Sequence, residues 1–269
     1  MNLEAIQCAI ESHTPESENA DIQAILSIFL QKLGEGTLRV CHKASGKWSV
    51  QNWVKKGILL CFKVLRNQTM SYQGAFDKIP LKTQNWTALE FESSKARFLP
   101  GSIVREGAYI APNVVLMPCF INIGARIEEG TMIDTWSTVG SCAHIGKNCH
   151  ISGGVGIGGV LEPIQARPTI IEDNCFIGAR SEIAEGVIVE EGAVVSMGVF
   201  IGASTKIVDR KTGEIHLGRV PAYSVVIPGS MPSVENPNIH QACAVIVKQV
   251  DSKTRSKIAI NELLRDTAY

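Results

Sequence analysis

Three groups of residues in this chain have types and spacings that could do chemistry. Gly154-Val-Gly156-Ile-Gly-Gly159 satisfies the glycine pattern of a dinucleotide-binding turn. There, glycines let the backbone approach a pyrophosphate at a helix N-terminus, so the motif needs a strand before it and a helix after it. Here a segment containing Pro163 and Pro168 follows, and no Walker lysine is present. The glycines read better as serving corners and close backbone approach. His144 and His150 are candidate zinc ligands or bases, but no third ligand stands near them in the pattern, so no metal site is expected. They read as solvated or edge histidines. Eight cysteines occupy positions 8, 41, 61, 119, 142, 149, 175 and 243, none with CxxC spacing. That pattern predicts free thiols rather than disulfides or a zinc cluster.

The elements that must position such residues are set by a repeat. Ile121, Ile127, Ile133, Val139, Ile145, Ile151 and Ile157 stand six apart. After a break the step resumes at Ile171, Ile177, Ile183, Val189, Val195, Ile201 and Ile207. Val104, Ile110 and Leu116 keep the same period upstream, displaced by one residue. The fourth residue after each aliphatic is usually small, as at Ala125, Thr131, Ser137, Ala143, Cys149, Cys175, Ser181 and Ala193, with Leu161 the main exception. A period of six matches neither a helix nor a hairpin meander. It fits a coil of flat six-residue sides, each pointing one aliphatic inward and placing a small residue near the next corner. In such a coil His144 and His150 lie one side apart and face different directions. Cys149 and Cys175 take small interior positions and read as core, not nucleophiles. The interruption at 158–170 is a loop thrown out of the coil, either a tolerated insertion or a flap over a site.

The flanks differ. Residues 1–95 read as a small, mainly helical α/β domain. Ile6 and Ile10 mark a first helix, and Ile22, Ile25, Leu26, Phe29 and Leu33 mark the face of a second, capped near Asn19-Ala-Asp21. Strands are expected over 37–41 and 48–50 around Gly46, then a helix over 52–65. The coil is expected over 96–208. From 209 to 269 the pattern predicts a hairpin between Ile207-Val208 and Ile215-His216, strands over 223–227 and 243–250, and a terminal helix over 254–266.

Composition narrows the function. The 269 residues allow one large domain or two smaller ones. Lys plus Arg equal Asp plus Glu at 26 each, which argues against a strongly basic nucleic-acid binder or a polybasic membrane anchor. A 45% hydrophobic and 19% charged composition excludes a disordered chain. The N-terminus lacks the basic and apolar regions of a secretory signal, and apolar runs such as residues 57–62 are too short to span a bilayer. A cytoplasmic protein with neither membrane nor nucleic-acid partners is expected.

The hexads resemble the hexapeptide-repeat acyltransferases. More specific strings, EEGTMIDTWSTVGSCAHIGKNCHISGGVGIGGVLEP and IIEDNCFIGARSEIAEGVIVEEGAVVSMGV among them, resemble the tetrahydrodipicolinate N-succinyltransferases. Similar strings cover residues 100–125, 212–222 and 243–265, and the likeness is weakest over 1–90. The resemblance implies a mainly β fold. It is a left-handed parallel β-helix with three hexads per turn, a small N-terminal α/β domain and a C-terminal strand and helix extension. About six turns at ~4.8 Å would make a prism on the order of 29 Å long. It also implies succinyl transfer from succinyl-CoA to the amino group of opened tetrahydrodipicolinate, in the diaminopimelate route to lysine. The protein would be a homotrimer with sites between neighbouring coils and no permanently bound cofactor.

Roles then follow residue by residue. Arg97 matches the family's substrate-binding arginine, suited to an acceptor with two carboxylates. Asp134 matches an acid that holds the acceptor amine, so it is a candidate for both substrate binding and catalysis. Glu182 matches a second catalytic acid. An outward arginine or acid on such a coil is otherwise simply solvated. Which acid takes the amine proton is open, and the two need not share one subunit's pocket. Trp136, outward near Asp134, is expected at a subunit interface or in a pocket wall. CoA-contacting residues stay unassigned, with Lys206 and Arg210 as candidates. Two other readings compete. One is an acetyl-CoA-using enzyme of the same fold, and the other is a non-catalytic β-helix scaffold.

Overall fold

The computed structural model describes residues 1–14, 20–70 and 74–250. Helix α1 (Leu3–Ser12) is capped by Asn2, whose Oδ1 accepts the Ala5 N–H at 2.9 Å. It packs with α2 (Ala20–Gly34) and α3 (Asn52–Val64). Ile6, Ile10, Leu26, Phe29, Val54 and Ile58 are fully buried between them. Gly57 permits this closeness, since a Cβ there would lie 2.7 Å from Phe29 and 2.9 Å from Ile10. The expected first strand begins later, at Cys41–Ala44, and pairs with Lys47–Val50. Leu38 and Val40, read from sequence as strand, are instead buried in the helical core. A short helix, α4 (Ala88–Ser94), closed by a capping box from Thr87 and Glu90, leads into the coil.

The coil is a left-handed parallel β-helix with three sheets as its faces. The first face stacks strands at 97–98, 115–116, 132–133, 150–151, 176–177 and 194–195. The second stacks those at 103–104, 120–121, 138–139, 156–157, 182–183 and 200–201. The third stacks those at 109–110, 126–127, 144–145, 170–171, 188–189 and 219–220. All fourteen hexad aliphatics are at most 1% exposed. The small positions have a second use at the corners. The Thr131 hydroxyl donates to the Gly146 carbonyl (2.7 Å) and accepts the Cys149 N–H (2.9 Å). Ser181 does the same with Ser196 (2.9 Å) and Val199 (3.1 Å). A larger side chain would leave no room for these bonds to the next turn.

Two departures from the repeat matter. Ile207 is buried in frame, but its strand (Ile207–Asp209) pairs with His240–Gln249 rather than continuing the third face. Arg219–Val220 takes that place beside Ile188–Val189 after the expected hairpin to Ile215–His216. The strand expected to stop at Ile227 runs on to Pro232. Its coil partner pairs only with Val225 and Val226, so Pro228 lacks an N–H where one neighbour remains. The final strand starts three residues early, at His240. The helix expected over 254–266 lies outside the described residues, as does Asn19.

The N-terminal elements cover the third face. Trp48 and Cys41 pack on Ile170 and Ile188, and Ile123 and Cys142 join the helical core. The loop at 158–169 is tied to this side. Fully buried Lys55 on α3 donates to the carbonyls of Pro163 (3.0 Å) and Ala166 (2.9 Å), and Leu161 packs on the helical core. Arg167 donates twice to the Gly186 carbonyl. Replacing Lys55 with methionine keeps the stem and strands two loop carbonyls, a change worth roughly 1–3 kcal/mol. Hydrogen exchange and limited proteolysis should then show loss of protection confined to 158–169. Unchanged protection would show that the loop holds without Lys55.

Candidate active site

The second face is the open one. Its outward positions run Phe120, Thr138, Gly156, Glu182 and Phe200, and Thr138, Glu182 and Phe200 are exposed. The edge between the first and second faces carries Asp134, Trp136, Gly154, Arg180 and Met197. Asp134 leaves the first-face strand at its end. Its Oδ1 accepts the Thr135 N–H at 2.6 Å and the Thr135 hydroxyl at 3.2 Å, which fixes the carboxylate at the corner. Its other oxygen has no bond from within the chain among the described contacts. Trp136 turns the corner in the left-handed backbone region (φ 62°), with its N–H on the Pro118 carbonyl at 2.6 Å. It is 72% exposed. A bulky aromatic in that conformation is strained, and nothing in the single chain covers its ring.

Glu182 stands on the second face two ladder steps above Thr138. Arg97 stands on the first face two steps below Met132, the residue before Ile133 and Asp134. At about 4.8 Å per step, Arg97 and Glu182 are separated along the prism by roughly 19 Å. The single chain therefore does not gather Arg97, Asp134 and Glu182 into one pocket. None of its described cavities is lined by any of the three. Arg210 donates from Nε to the Val247 carbonyl at 3.1 Å, which anchors the side chain and leaves the donors of its two terminal nitrogens for other partners.

The tempting motifs resolve physically. His144 and His150 do face different directions, on the third and first faces. His150 is half-buried beside Phe176, with ring centroids 5.3 Å apart. His144 is not the solvated residue expected. It is 7% exposed and packs against Trp48, ring centroids 4.8 Å apart and planes tilted by 55°, because the N-terminal hairpin folds over the third face. Burial, then the nearby Arg126 and Arg39 charges, pull its pKa down to about 3. All eight cysteines are free, and seven are buried. Burial pushes the thiols of Cys119 and Cys142 up to about 12, far from nucleophilic use. Among the described residues no group of three or more His, Cys, Asp or Glu is placed to hold a metal ion.

The neutral His144 makes a pH prediction. Its folded pKa lies below the unfolded value near 6.5, so its stabilisation is complete above that pH. As pH falls from 6.5 toward 3, the unfolded chain takes up a proton that the folded chain refuses, and stability declines. Arg126, Arg39, Asp173 and Glu172 are the charges that face the ring. His144→Phe keeps a ring against Trp48 and removes the titration. The gap in Tm between variant and wild type should widen in favour of the variant as pH drops from 6.5 to 4.5. A pH-independent gap would refute the buried neutral ring.

Known proteins share the fold and the hexapeptide repeat that builds it. A family model for the N-terminal region of tetrahydrodipicolinate N-succinyltransferase matches residues 3–64. A model of six bacterial transferase hexapeptides matches 124–159, and one for the hexapeptide repeat of succinyl-transferase matches 168–203. A 2,3,4,5-tetrahydropyridine-2,6-dicarboxylate N-succinyltransferase of Parvibaculum lavamentivorans is 60% identical over 248 residues, covering 88% of each chain. The chain belongs to this N-succinyltransferase family. A Wolbachia relative of the same name is 55% identical over 275 residues, covering 99% of this chain and 100% of its own. A Campylobacter jejuni crystal structure shares the fold at TM-score 0.52 and 17% identity, covering 82% of this chain and 62% of that one.

The sequence singles out Asp134, Trp136 and Glu182 as candidates but not what lies under Glu182. Gly156 is its ladder partner. The clue was in the spacing. Ile157 to Ile171 spans fourteen residues where one side takes six, so the loop adds eight. Subtracting those eight and one eighteen-residue turn from 182 leads to 156.

Proposed function

We propose that this chain transfers the succinyl group of succinyl-CoA to the amino group of opened tetrahydrodipicolinate, giving N-succinyl-2-amino-6-oxopimelate and CoA on the diaminopimelate route to lysine. The observation that carries this reading is identity of 55–60% over nearly the whole chain to enzymes named for that reaction. No helix among the described residues is long and apolar enough to cross a membrane. A biosynthetic step that consumes a CoA thioester fits the cytoplasm.

The chemistry assigns the residues. The acceptor amine is protonated in neutral water and must lose a proton to attack the thioester carbonyl. Nitrogen bonds to that carbon, the C–S bond breaks, and CoA leaves as thiolate to be protonated. Asp134, pinned at its corner by Thr135 with one oxygen outward, holds the amine. Glu182, on the same open side, is the second acid. Arg97 takes an acceptor carboxylate through its planar fork. Arg97 and Glu182 are too far apart along one prism to meet on one small acceptor. Each site is built between two copies of a homotrimer, with Asp134 of one copy opposite Glu182 of the other. Exposed Trp136, Met197 and Phe200 on that edge and face, at 72%, 66% and 65%, are the apolar surface such an interface covers. Succinyl-CoA is a co-substrate and not a resident cofactor.

The test is thiol release from succinyl-CoA with tetrahydrodipicolinate as acceptor, run beside acetyl-CoA. The reading expects rapid release with succinyl-CoA alone. Release only with acetyl-CoA would overturn the donor assignment, and silence with both would leave a scaffold.

A further inference from the structure

The glycines that mimic a dinucleotide motif have a definite neighbour. Each step of Gly154-Val-Gly156-Ile-Gly158 lies under a residue of the next turn. A Cβ on Gly154 would sit 2.7 Å from Cδ and Nε of Arg180. A Cβ on Gly158 would sit 2.8 Å from Cβ of Ala184. A Cβ on Gly156 would overlap the Glu182 carboxylate itself, both oxygens included. The Glu182 side chain is thus folded down the face onto bare backbone, with its outer side still exposed. Gly154 is also a corner with φ 69°, so its glycine has a backbone reason. Gly156 has none, because it lies in a strand outside the left-handed region, where side chains are ordinary. Its outward ladder neighbours, Thr138 below and Glu182 above, both carry side chains.

We infer that Gly156 is a positioning residue of the transferase. Its missing side chain is the recess that holds the Glu182 carboxylate low on the second face, toward the level of Asp134. The inference rests on the reading of Glu182 as an active-site acid. The three atoms nearest an alanine Cβ at 156 all belong to the far end of the flexible Glu182 side chain, so the coil tolerates the alanine and Glu182 swings away. Misplacing a reacting group by about 1 Å can cost on the order of 100-fold.

The experiment is a double-mutant cycle of Gly156→Ala and Glu182→Gln, read in kcat, KM and Tm. Gly156→Ala should keep Tm within a few degrees and lower kcat by about 10–100-fold with little change in KM. In the Glu182→Gln background the same alanine should cost less than about twofold, since the group it displaces no longer works. Gly156→Ala within twofold of wild type, beside a strongly impaired Glu182→Gln, would overturn the inference alone. Equal losses in both backgrounds would overturn it too, by showing a structural effect. An unimpaired Glu182→Gln would overturn the reading of Glu182 and the inference with it. If Gly156→Ala destabilises the fold, Glu182→Ala supplies the check. Removing the crowded carboxylate should abolish the destabilisation, and a persistent loss would contradict the recess.

Discussion

Glu182→Gln and Asp134→Asn are each expected to lower kcat/KM for succinyl transfer by roughly 10²–10⁴-fold, the range for losing a positioned acid or base. Both changes preserve shape. Glutamine can lie on Gly156 as glutamate does, and an asparagine oxygen can still accept the Thr135 N–H that fixes Asp134. What disappears is negative charge and basicity. For Asp134 the loss should fall on both KM for the acceptor and kcat, because an amide no longer attracts a cationic amine. For Glu182 it should fall on kcat. Steady-state kinetics with thiol detection reads both. A loss below tenfold in either variant would remove that acid from the mechanism.

Ile151→Ala is the second large effect. Ile151 is fully buried mid-coil, with Ile133 below and Ile177 above in the same ladder. The stacked sides above and below hold their spacing through backbone bonds, so the cavity cannot collapse. Such truncations cost roughly 2–5 kcal/mol. In a repeat stack each turn leans on its neighbours, so a central defect weakens both halves. Denaturant unfolding should show the loss, whereas Val234→Ala, at a position 90% exposed, should change stability by less than about 0.5 kcal/mol. A cost under 1 kcal/mol at Ile151 would mean that the coil core is loosely packed.

The coil was legible because its rule is local. Each hexad specifies one inward aliphatic and one small corner residue, and burial of all fourteen aliphatics follows that rule. What was not legible depended on distant partners. His144 looked solvated because nothing in the hexad announces that Trp48, almost a hundred residues earlier, folds over it. Ile207 kept the period while its strand left the third face, since a hairpin and a later strand competed for the same edge. The candidate acids were placed from residue context, and the coil shows why their separation in sequence misleads. Every eighteen residues return to the same face one step higher, and the loop at 158–169 adds eight that do not advance the coil. Gly156 stayed hidden because a glycine under a side chain looks the same in sequence as a glycine at a corner.

We propose that two copies of this chain build each transfer site, one giving Asp134 and the other Glu182. Co-expression of Asp134→Asn and Glu182→Gln chains under different tags, with sequential purification on both, isolates mixed trimers. In any mixed three-membered ring, one of three junctions pairs an intact Asp134 with an intact Glu182 in the working direction. Each mixed trimer should show about one third of wild-type activity, from chains that are each nearly inactive alone. Mixed trimers no more active than the two parents would contradict it and place both acids within a single chain's site.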